Sequence, residues 1–357
     1  MILPRGAIMQ TWRVVIRFGV GAAVSALVGR RLLNCLWELT YRCNARCAIC
    51  PYWRRPSEPA LELTADQIRE GLGKIHAYGC RLVNFTGGEP TLRSDLEEII
   101  SEASRLGIWT SMVTNGSLIT RGRLRSLKSA GLDHLLISLD SADPVYHDHH
   151  RGIPGSHAKV IEGLRWIGED FLTGHRTGGI MCAISAGNLD QVPALAELAR
   201  SLGVHAVFQP YSYNKTGDDS LTPHIGTPQV STLMLLKRRD STVLNSRRYL
   251  EGWVPDRRSR CSAGKKYFSI DPYGYLHPCV DTPAAGHILR DDIQVIRSDR
   301  AANDVATCQG CWYCFRGEAD TSLSVGGYLE KVGIGLAVIR RNLARTLRSP
   351  SRTRDTA

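Results

Sequence analysis

The most apolar segment of the chain, Trp12 to Leu33, lacks the uncharged length needed to cross a bilayer. Arg13, Arg17, Arg30 and Arg31 interrupt it, and its longest run free of charge, Phe18 to Gly29, has only twelve residues. A spanning helix needs roughly 20 apolar residues, so this segment is excluded as a membrane span. Acids are missing from the same end: residues 1–37 hold five arginines and no Asp or Glu. Residues 332–357 hold six arginines against Asp355, so each end carries +5 and the rest of the chain only +1 of the +11 total. A nucleic-acid enzyme spreads basic surface over its catalytic body, which this chain does not, and nucleic acid is therefore not an expected partner. Basic apolar ends suit an anionic membrane surface instead, which predicts peripheral association at the inner face of a membrane. Arg13, Arg17 and Ser25 fall near one face of a helix that would lie in the interface. A helix packed on the body, and a signal peptide ending at Val24-Ser25-Ala26, are the competing readings.

An even cysteine count is lacking too. Eleven cysteines in 357 residues, several at Cys-x2-Cys spacing, point to metal binding in a reducing, cytoplasmic compartment rather than to a disulfide framework. The run Cys43-Asn44-Ala45-Arg46-Cys47-Ala48-Ile49-Cys50 sets three thiols within one loop, and what it lacks is a fourth ligand, since no His or Cys follows closely. A closed tetrahedral zinc site or a fully thiolate-ligated cluster needs four. The last position is open to something that is not protein.

From Asn34 onward apolar runs of strand length alternate with helix-like periodic segments. Predicted strands are Asn34–Leu39, Arg81–Phe85, Ile108–Val113, Leu135–Leu139, Gly179–Ile184 and Ala206–Gln209. Between them lie helices such as those carrying Ile68, Leu72 and Ile75, or Leu96, Ile99, Ile100 and Ala103, with Thr64 and Ser94 placed as caps. The fold class is α/β, a parallel (β/α)6 sheet curled into a partial TIM-like barrel with right-handed crossovers. Such barrels place their chemistry in the loops after the strands. The three-cysteine loop follows the first strand, Gly87-Gly88-Glu89-Pro90 the second and Thr114-Asn115-Gly116 the third, and Ser138-Leu139-Asp140 ends the fourth. After the sixth strand, residues 211–229 read as a loop or lid, and helices are expected around Ser231–Arg239 and Val243–Gly252. A last basic amphipathic stretch sets Leu329, Val332, Leu336, Ile339 and Leu343 on one side.

Cys43-x3-Cys47-x2-Cys50 at the end of a first barrel strand, followed by Gly87-Gly88-Glu89-Pro90 after the second, resembles the radical S-adenosylmethionine (SAM) superfamily. The resemblance implies that Cys43, Cys47 and Cys50 hold three irons of a [4Fe–4S] cluster and that SAM chelates the fourth. Reductive cleavage of SAM to a 5′-deoxyadenosyl radical would then abstract a substrate hydrogen, with flavodoxin or ferredoxin as the kind of electron donor implied. Gly87, Gly88, Glu89 and Pro90 would receive the SAM ammonium group, glycine letting the backbone approach the ligand closely. Ser138 and Arg151 would meet its carboxylate or ribose, and Asn115 or Asn188 would line the pocket. Simpler readings stand beside these: Ser138 as a strand end, Arg151, with His147, His149 and His150, as a solvated loop. The residue before the third cysteine, usually aromatic in the family, is here Ile49, which makes the packing there aliphatic.

Farther on, Cys261, Gly274, Cys279 and Cys308-x2-Cys311 resemble the twitch or SPASM extension of such enzymes, which binds auxiliary [4Fe–4S] clusters. Four thiolates complete one cluster; a full SPASM set would need about seven cysteines, so one auxiliary cluster is implied. Gly274 fits the hairpin turn Asp271-Pro272-Tyr273-Gly274-Tyr275. Cys314 is left as a further ligand, a substrate-facing thiol or a bystander, and a zinc site from Cys308, Cys311 and Cys314 is the alternative. Cys35, Cys80 and Cys182 read as buried inert thiols on strands, and Gln209 and Tyr211 as substrate contacts.

The expected organisation is a basic amphipathic segment (1–33), the barrel (34–226), a helical linker (227–260), the auxiliary-cluster domain (261–316) and a basic amphipathic tail (317–357). The expected activity is that of a radical SAM enzyme, an oxidoreductase or a transferase-type modifier, acting on a membrane-associated, lipid-like substrate. With 42 residues before Cys43, a preceding peptide-recognition domain is not expected. A peptide- or protein-modifying maturase of the SPASM type is the alternative, and a non-catalytic iron–sulfur electron-transfer protein and a zinc-dependent binding module are the readings from other classes.

Overall fold

The computed structural model describes residues 33–254, 261–308, 311–321 and 325–348. The N-terminal segment expected on a membrane lies outside the described residues up to residue 32. No described helix is long and apolar enough to cross a membrane.

Six parallel strands, β1 (Leu33–Thr40), β2 (Cys80–Gly87), β3 (Trp109–Thr114), β4 (His134–Ser138), β5 (Thr177–Ile184) and β6 (His205–Pro210), lie in the order β6-β5-β4-β3-β2-β1. Each lies within about two residues of its predicted span. Side chains alternate along a strand, and here the two faces differ in kind. Cys35, Trp37 and Leu39 of β1, Val83 and Phe85 of β2, Met112 of β3 and Ile180 and Cys182 of β5 are fully buried against the helices. The opposite positions, among them Asn34, Leu36, Asn84, Thr86, Ser111 and Ser138, face the barrel interior. Large apolar groups outside drive the sheet onto its helices, and smaller or polar groups inside leave a hollow.

The helices follow in sequence: α1 (Ala65–Tyr78), α2 (Leu96–Arg105), α3 (Arg121–Ser129), α4 (Pro144–Arg151), α5 (Ser156–Trp166) and α6 (Val192–Ser201). Thr64 caps α1 in a reciprocal box with Gln67, whereas Asp95, not Ser94, stands at the start of α2. Beyond α7 (Thr227–Arg239), the helix expected over Val243–Gly252 shortens to α8 (Arg247–Glu251). The reason is the open edge of β6. The Ala206 N–H donates to the Thr242 carbonyl at 2.9 Å, the Leu244 N–H to the Ala206 carbonyl at 3.0 Å, and Asn245 exchanges two hydrogen bonds with the Phe208 backbone. An unpaired edge would template aggregation, and this extended segment covers it.

The C-terminal extension continues the same sheet. β7 (Tyr267–Ile270) pairs in parallel with β1, and β8 (Tyr275–His277) and β9 (Gly286–His287) follow antiparallel. Gly274, at φ +91°, makes the expected turn between β7 and β8. Then come α9 (Asp299–Ala306), α10 (Cys314–Thr321) and α11 (Val325–Arg348). The apolar stripe expected on the tail is split. Leu329, Val332 and Leu336 are exposed while Val338 and Ile339 are buried. The cause is docking onto the barrel: the fully buried Asn342 donates to the Gly174 and Arg176 carbonyls at 3.0 and 2.9 Å, and Arg345 donates to the Gly203 carbonyl. Two residues of the basic tail, Arg341 beside His205 and Arg345, thus serve the barrel floor rather than a lipid surface.

Candidate functional site

Cys43, Cys47 and Cys50 line one wall of a cavity of about 1080 Å³ that fills the barrel interior. Ligand pockets commonly hold about 300–1,000 Å³, so a cofactor and part of a substrate fit together. The loop that carries the thiols is gripped from three sides. From β2, the Gly88 N–H donates to the Thr40 carbonyl at 2.7 Å and the Glu89 N–H to the Arg42 carbonyl at 2.8 Å. From the end of β3, Asn115 donates to the Asn44 amide oxygen at 2.8 Å, and Asn44 in turn to Ser117. From α4, the Arg151 and His150 carbonyls accept from the Arg46 and Ala48 N–H groups at 3.0 and 3.2 Å. Gly152, in the left-handed region, lets α4 end against the loop, where a Cβ would come within 2.8 Å of Arg46.

These contacts change the reason for the double glycine. A Cβ at Gly87 would stand 2.3 Å from the Thr40 carbonyl oxygen, and one at Gly88 2.1 Å from that of Arg42, both immovable backbone. The glycines are required by the approach of the cysteine loop itself, whatever ligand lies above them. Glu89 is likewise committed. Its carboxylate accepts from the Thr91 N–H and hydroxyl, the Thr114 hydroxyl and the Asn115 N–H, all between 2.6 and 3.1 Å. It ties β2 to β3. Pro90 starts a short 3-10 turn and is buried away from the cavity lining.

Asn115, Ser138 and Arg151 all line the cavity. Arg151 is the last residue of α4 rather than part of a solvated loop, and His147 and His150 beside it are buried. Its guanidinium pairs with the fully buried Asp140 at 2.7 Å and donates to the Cys47 sulfur at 3.7 Å. Burial opposes that charge, but Asp140 and Cys47 outweigh it and hold the guanidinium firmly ionised. Asn188 is placed differently. It is fully buried, accepts from the Ser185 N–H, donates to the Asp140 and Ala183 carbonyls, and does not line the cavity. Its position braces the turn that follows β5. Ile49 packs with Ala45, Cys47 and Tyr211 into an aliphatic and aromatic patch beside the thiols. Gln209 and Tyr211 reach the cavity, with Gln209 accepting the Cys314 N–H at 2.8 Å.

Burial disfavours the thiolate form of the front cysteines. Burial pushes the Cys43 thiol up to about 11 and raises that of Cys47, and in each case neighbouring thiols add to the rise. Cluster binding would release those protons, and Arg151 offers Cys47 a compensating cation. Among the described residues no three His, Cys, Asp or Glu groups converge closely enough for one metal ion.

The rear cysteines divide. The Tyr267 hydroxyl donates to Cys279 at 3.2 Å and stands 3.9 Å from Cys261. Burial pushes Cys311 up to about 12, Cys261 contributing, and it raises Cys279, with Cys311 contributing. Cys261, Cys279 and Cys311 thus gather around one tyrosine, while Cys308 is exposed beside Asn214. Cys314 stands apart, on the cavity, with Asn245, Glu318 and Lys331 as neighbours. Cys35, Cys80 and Cys182 are fully buried in strands.

Sequence reasoning missed two groups here and the role of a third. Asp140, two residues past the end of β4, stands in the rim run Ser138-Leu139-Asp140, but nothing there marks it as the partner of Arg151. Tyr52, two residues past Cys50, lines the cavity and is pinned by donating to the buried Glu38. Lys215 lies over the Tyr52 and Tyr313 rings at 5.1 and 5.0 Å, and nothing in its local sequence announces that.

A family model described as the radical SAM superfamily matches residues 37–199. A PqqA peptide cyclase of Bradyrhizobium diazoefficiens is 30% identical over 282 residues, 75% of this chain and 71% of that one. An AdoMet-dependent heme synthase of Methanosarcina barkeri is 33% identical over 171 residues, 48% of each chain. Among solved structures, Streptococcus suis SuiB bound to the precursor peptide SuiA superposes with a TM-score of 0.63 at 16% identity, over 81% of this chain and 70% of that one. AnSMEcpe with bound AdoMet and a Cp18Cys peptide gives 0.58 at 15% identity, over 88% and 99%.

Proposed function

This chain belongs to the radical SAM superfamily, and from that membership we propose that it is a peptide-modifying enzyme whose substrate lies between the two cysteine regions. The observation that carries this reading is the cavity itself: Cys43, Cys47 and Cys50 stand on one wall and Tyr313, Cys314 and Phe315 on another. The similarity to PqqA peptide cyclases, along about three quarters of the chain, supports a peptide over the lipid-like substrate expected from the basic ends. Bound at the front thiols, a [4Fe–4S] cluster with SAM supplies one-electron cleavage of SAM and hence hydrogen abstraction from the substrate.

Cys43, Cys47 and Cys50 would hold that cluster, with Arg151 balancing the Cys47 thiolate. Ser138 and Asn115 would orient SAM from the ends of β4 and β3, and Ile49 with Tyr211 would exclude water from its rim. Cys261, Cys279, Cys308 and Cys311 would hold an auxiliary cluster, which would supply one-electron redox chemistry. Cys314, on the cavity side, would lie outside that ligand set.

The apolar middle of the cavity, with Leu36, Leu82, Val113, Leu136, Met181 and Val207, favours one second reading, a lipid-like substrate. Reconstituted enzyme with SAM and a chemical reductant separates the two. Deuterium is expected to pass from carbon-deuterated peptides into 5′-deoxyadenosine. Transfer from deuterated isoprenoids and none from peptides would reverse the reading.

A further inference from the structure

The cavity is unevenly charged. Five lysines and arginines line it against two carboxylates, Glu89 and Glu318. Glu89 is committed to its four donors and Glu318 is paired with Lys331 at 2.9 Å. Arg151 is answered by Asp140. Lys215, in the short turn after β6, is not answered in that way. Among the described residues its ammonium forms no ion pair and no hydrogen bond, and its contacts are the faces of Tyr52 and Tyr313. The Glu38 carboxylate feels the Lys215 charge, but its direct contacts are the Tyr52 hydroxyl and Arg55 at 3.8 Å.

Ring faces hold an ammonium by its charge and do not accept all three of its N–H donors. At least one donor remains for an acceptor that enters the cavity. The position is specific as well. Tyr52 follows Cys50 by two residues and Tyr313 follows Cys311 by two, so the ammonium stands at the junction of the two cysteine regions. It reaches the cavity from the β6 side, whereas Ser138 and Arg151 approach from β4 and α4.

We infer that Lys215, held between Tyr52 and Tyr313, receives a carboxylate of the substrate and so selects for an acidic group beside the position that reacts. This rests on the peptide-modifying reading, where the group would be an acidic side chain such as that of Glu. A fatty carboxylate offers the same chemistry from another source.

The test uses reconstituted, SAM-loaded enzyme and a library of end-blocked peptides, randomised except for one position that is Glu or Gln. Hydrogen bonds to charged groups predict Glu enriched over Gln by about ten-fold in the retained fraction. Lys215→Met is expected to bring that ratio to about one and Lys215→Arg to restore part of it. Because the ratio is internal, a general loosening of the loop lowers both forms together and leaves it unchanged. A wild-type ratio near one, a ratio that survives Lys215→Met, or a loss of SAM binding without peptide in that variant each overturns the inference. If no peptide is retained but oleate binds in a Lys215-dependent way and oleyl alcohol does not, carboxylate recognition stands and the peptide reading falls. Retention of neither peptide nor oleate overturns the inference.

Discussion

The front and rear cysteine regions are held together by different means. Cys43, Cys47 and Cys50 sit within eight residues of one another; the ends of β2 and α4 bind the backbone of their loop, and Asn115 after β3 holds its Asn44 side chain. Cys261, Cys279 and Cys311 are spread over some fifty residues; Cys261 and Cys279 meet at a single side chain, Tyr267, and Cys311 is near enough for its charge to be felt there. Closing a longer loop is entropically more costly, though only slowly so with length. The difference that matters is redundancy: the front loop has many supports fixed by the barrel, and the rear site depends on a hairpin and a short helix. The front is therefore expected to be preformed and the rear to be organised by what it binds.

Substitutions at the thiols should separate the two regions most sharply. Cys43→Ala is expected to bring 5′-deoxyadenosine formation down to background. Cys279→Ala is expected to keep measurable SAM cleavage while lowering iron by about four atoms per chain, one cluster's worth. Cys314→Ala should leave the iron content intact; a loss there would place Cys314 among the ligands and redraw the rear site. Iron and sulfide analysis after anaerobic reconstitution, with quantified 5′-deoxyadenosine, reads all three.

A smaller effect tests the redundancy of the front. In Gly88→Ala the new methyl would meet the Arg42 carbonyl, 2.1 Å away, so the cysteine loop must shift. A loss of about 3 kcal/mol in stability is expected from such crowding, with SAM binding weakened. Gly274→Ala in the rear hairpin faces a left-handed backbone and side-chain atoms of His287 and Leu63 rather than backbone, and should cost about 1–2 kcal/mol. Melting temperatures of the two variants, compared with wild type, give the order. Equal losses would mean that the two regions are supported alike.

The smallest effect belongs to the barrel floor on which both regions rest. His205 is fully buried; burial, and then Arg341, lower its imidazole to about 3, with His134 and Arg345 adding to the effect and the Ser241 carbonyl opposing it. Its unfolded value lies near 6.5. Between those values the unfolded chain binds the extra proton, so stability is complete above about pH 6.5 and falls as pH drops toward 3. The slope is at most about 1.4 kcal/mol per pH unit for this group. Urea unfolding at pH 7.0 and 5.5 should show the decline, and His205→Gln should lessen it, the remainder coming from His134 and His147, which burial lowers in the same direction.

Much of the barrel was legible because its signals are local. Each strand carries a two-residue alternation, and the loops after β1, β2 and β3 carry cysteines, glycines or Asn115 that mark one rim. What was misread depended on partners distant in sequence. Val243 to Asn245 has apolar character that suits a helix, but an open β6 edge pulled it into extended pairing. His147 and His150 read as solvated in a polar run, yet the fourth residue of α4 and its seventh turn inward onto Asp140. Of Asn115 and Asn188, the two residues expected as alternatives in the pocket, Asn115 lines it and Asn188 is a brace. Leu329 to Leu343 formed a convincing amphipathic stripe, but Asn342, polar and fully buried, chose which face meets the barrel.

By itself the sequence determined the α/β alternation, the rim on which chemistry would be found and the thiol triplet with a ligand missing, because each of these is written within a few neighbouring residues. Tertiary structure alone decided that Gly87 and Gly88 serve the chain's own close approach, that Cys314 parts from the other rear thiols, and that Lys215 stands between two tyrosines. Those outcomes depend on which surfaces meet after the sheet has curled, and a side chain's partner across a cavity leaves no mark on the residues beside it in sequence.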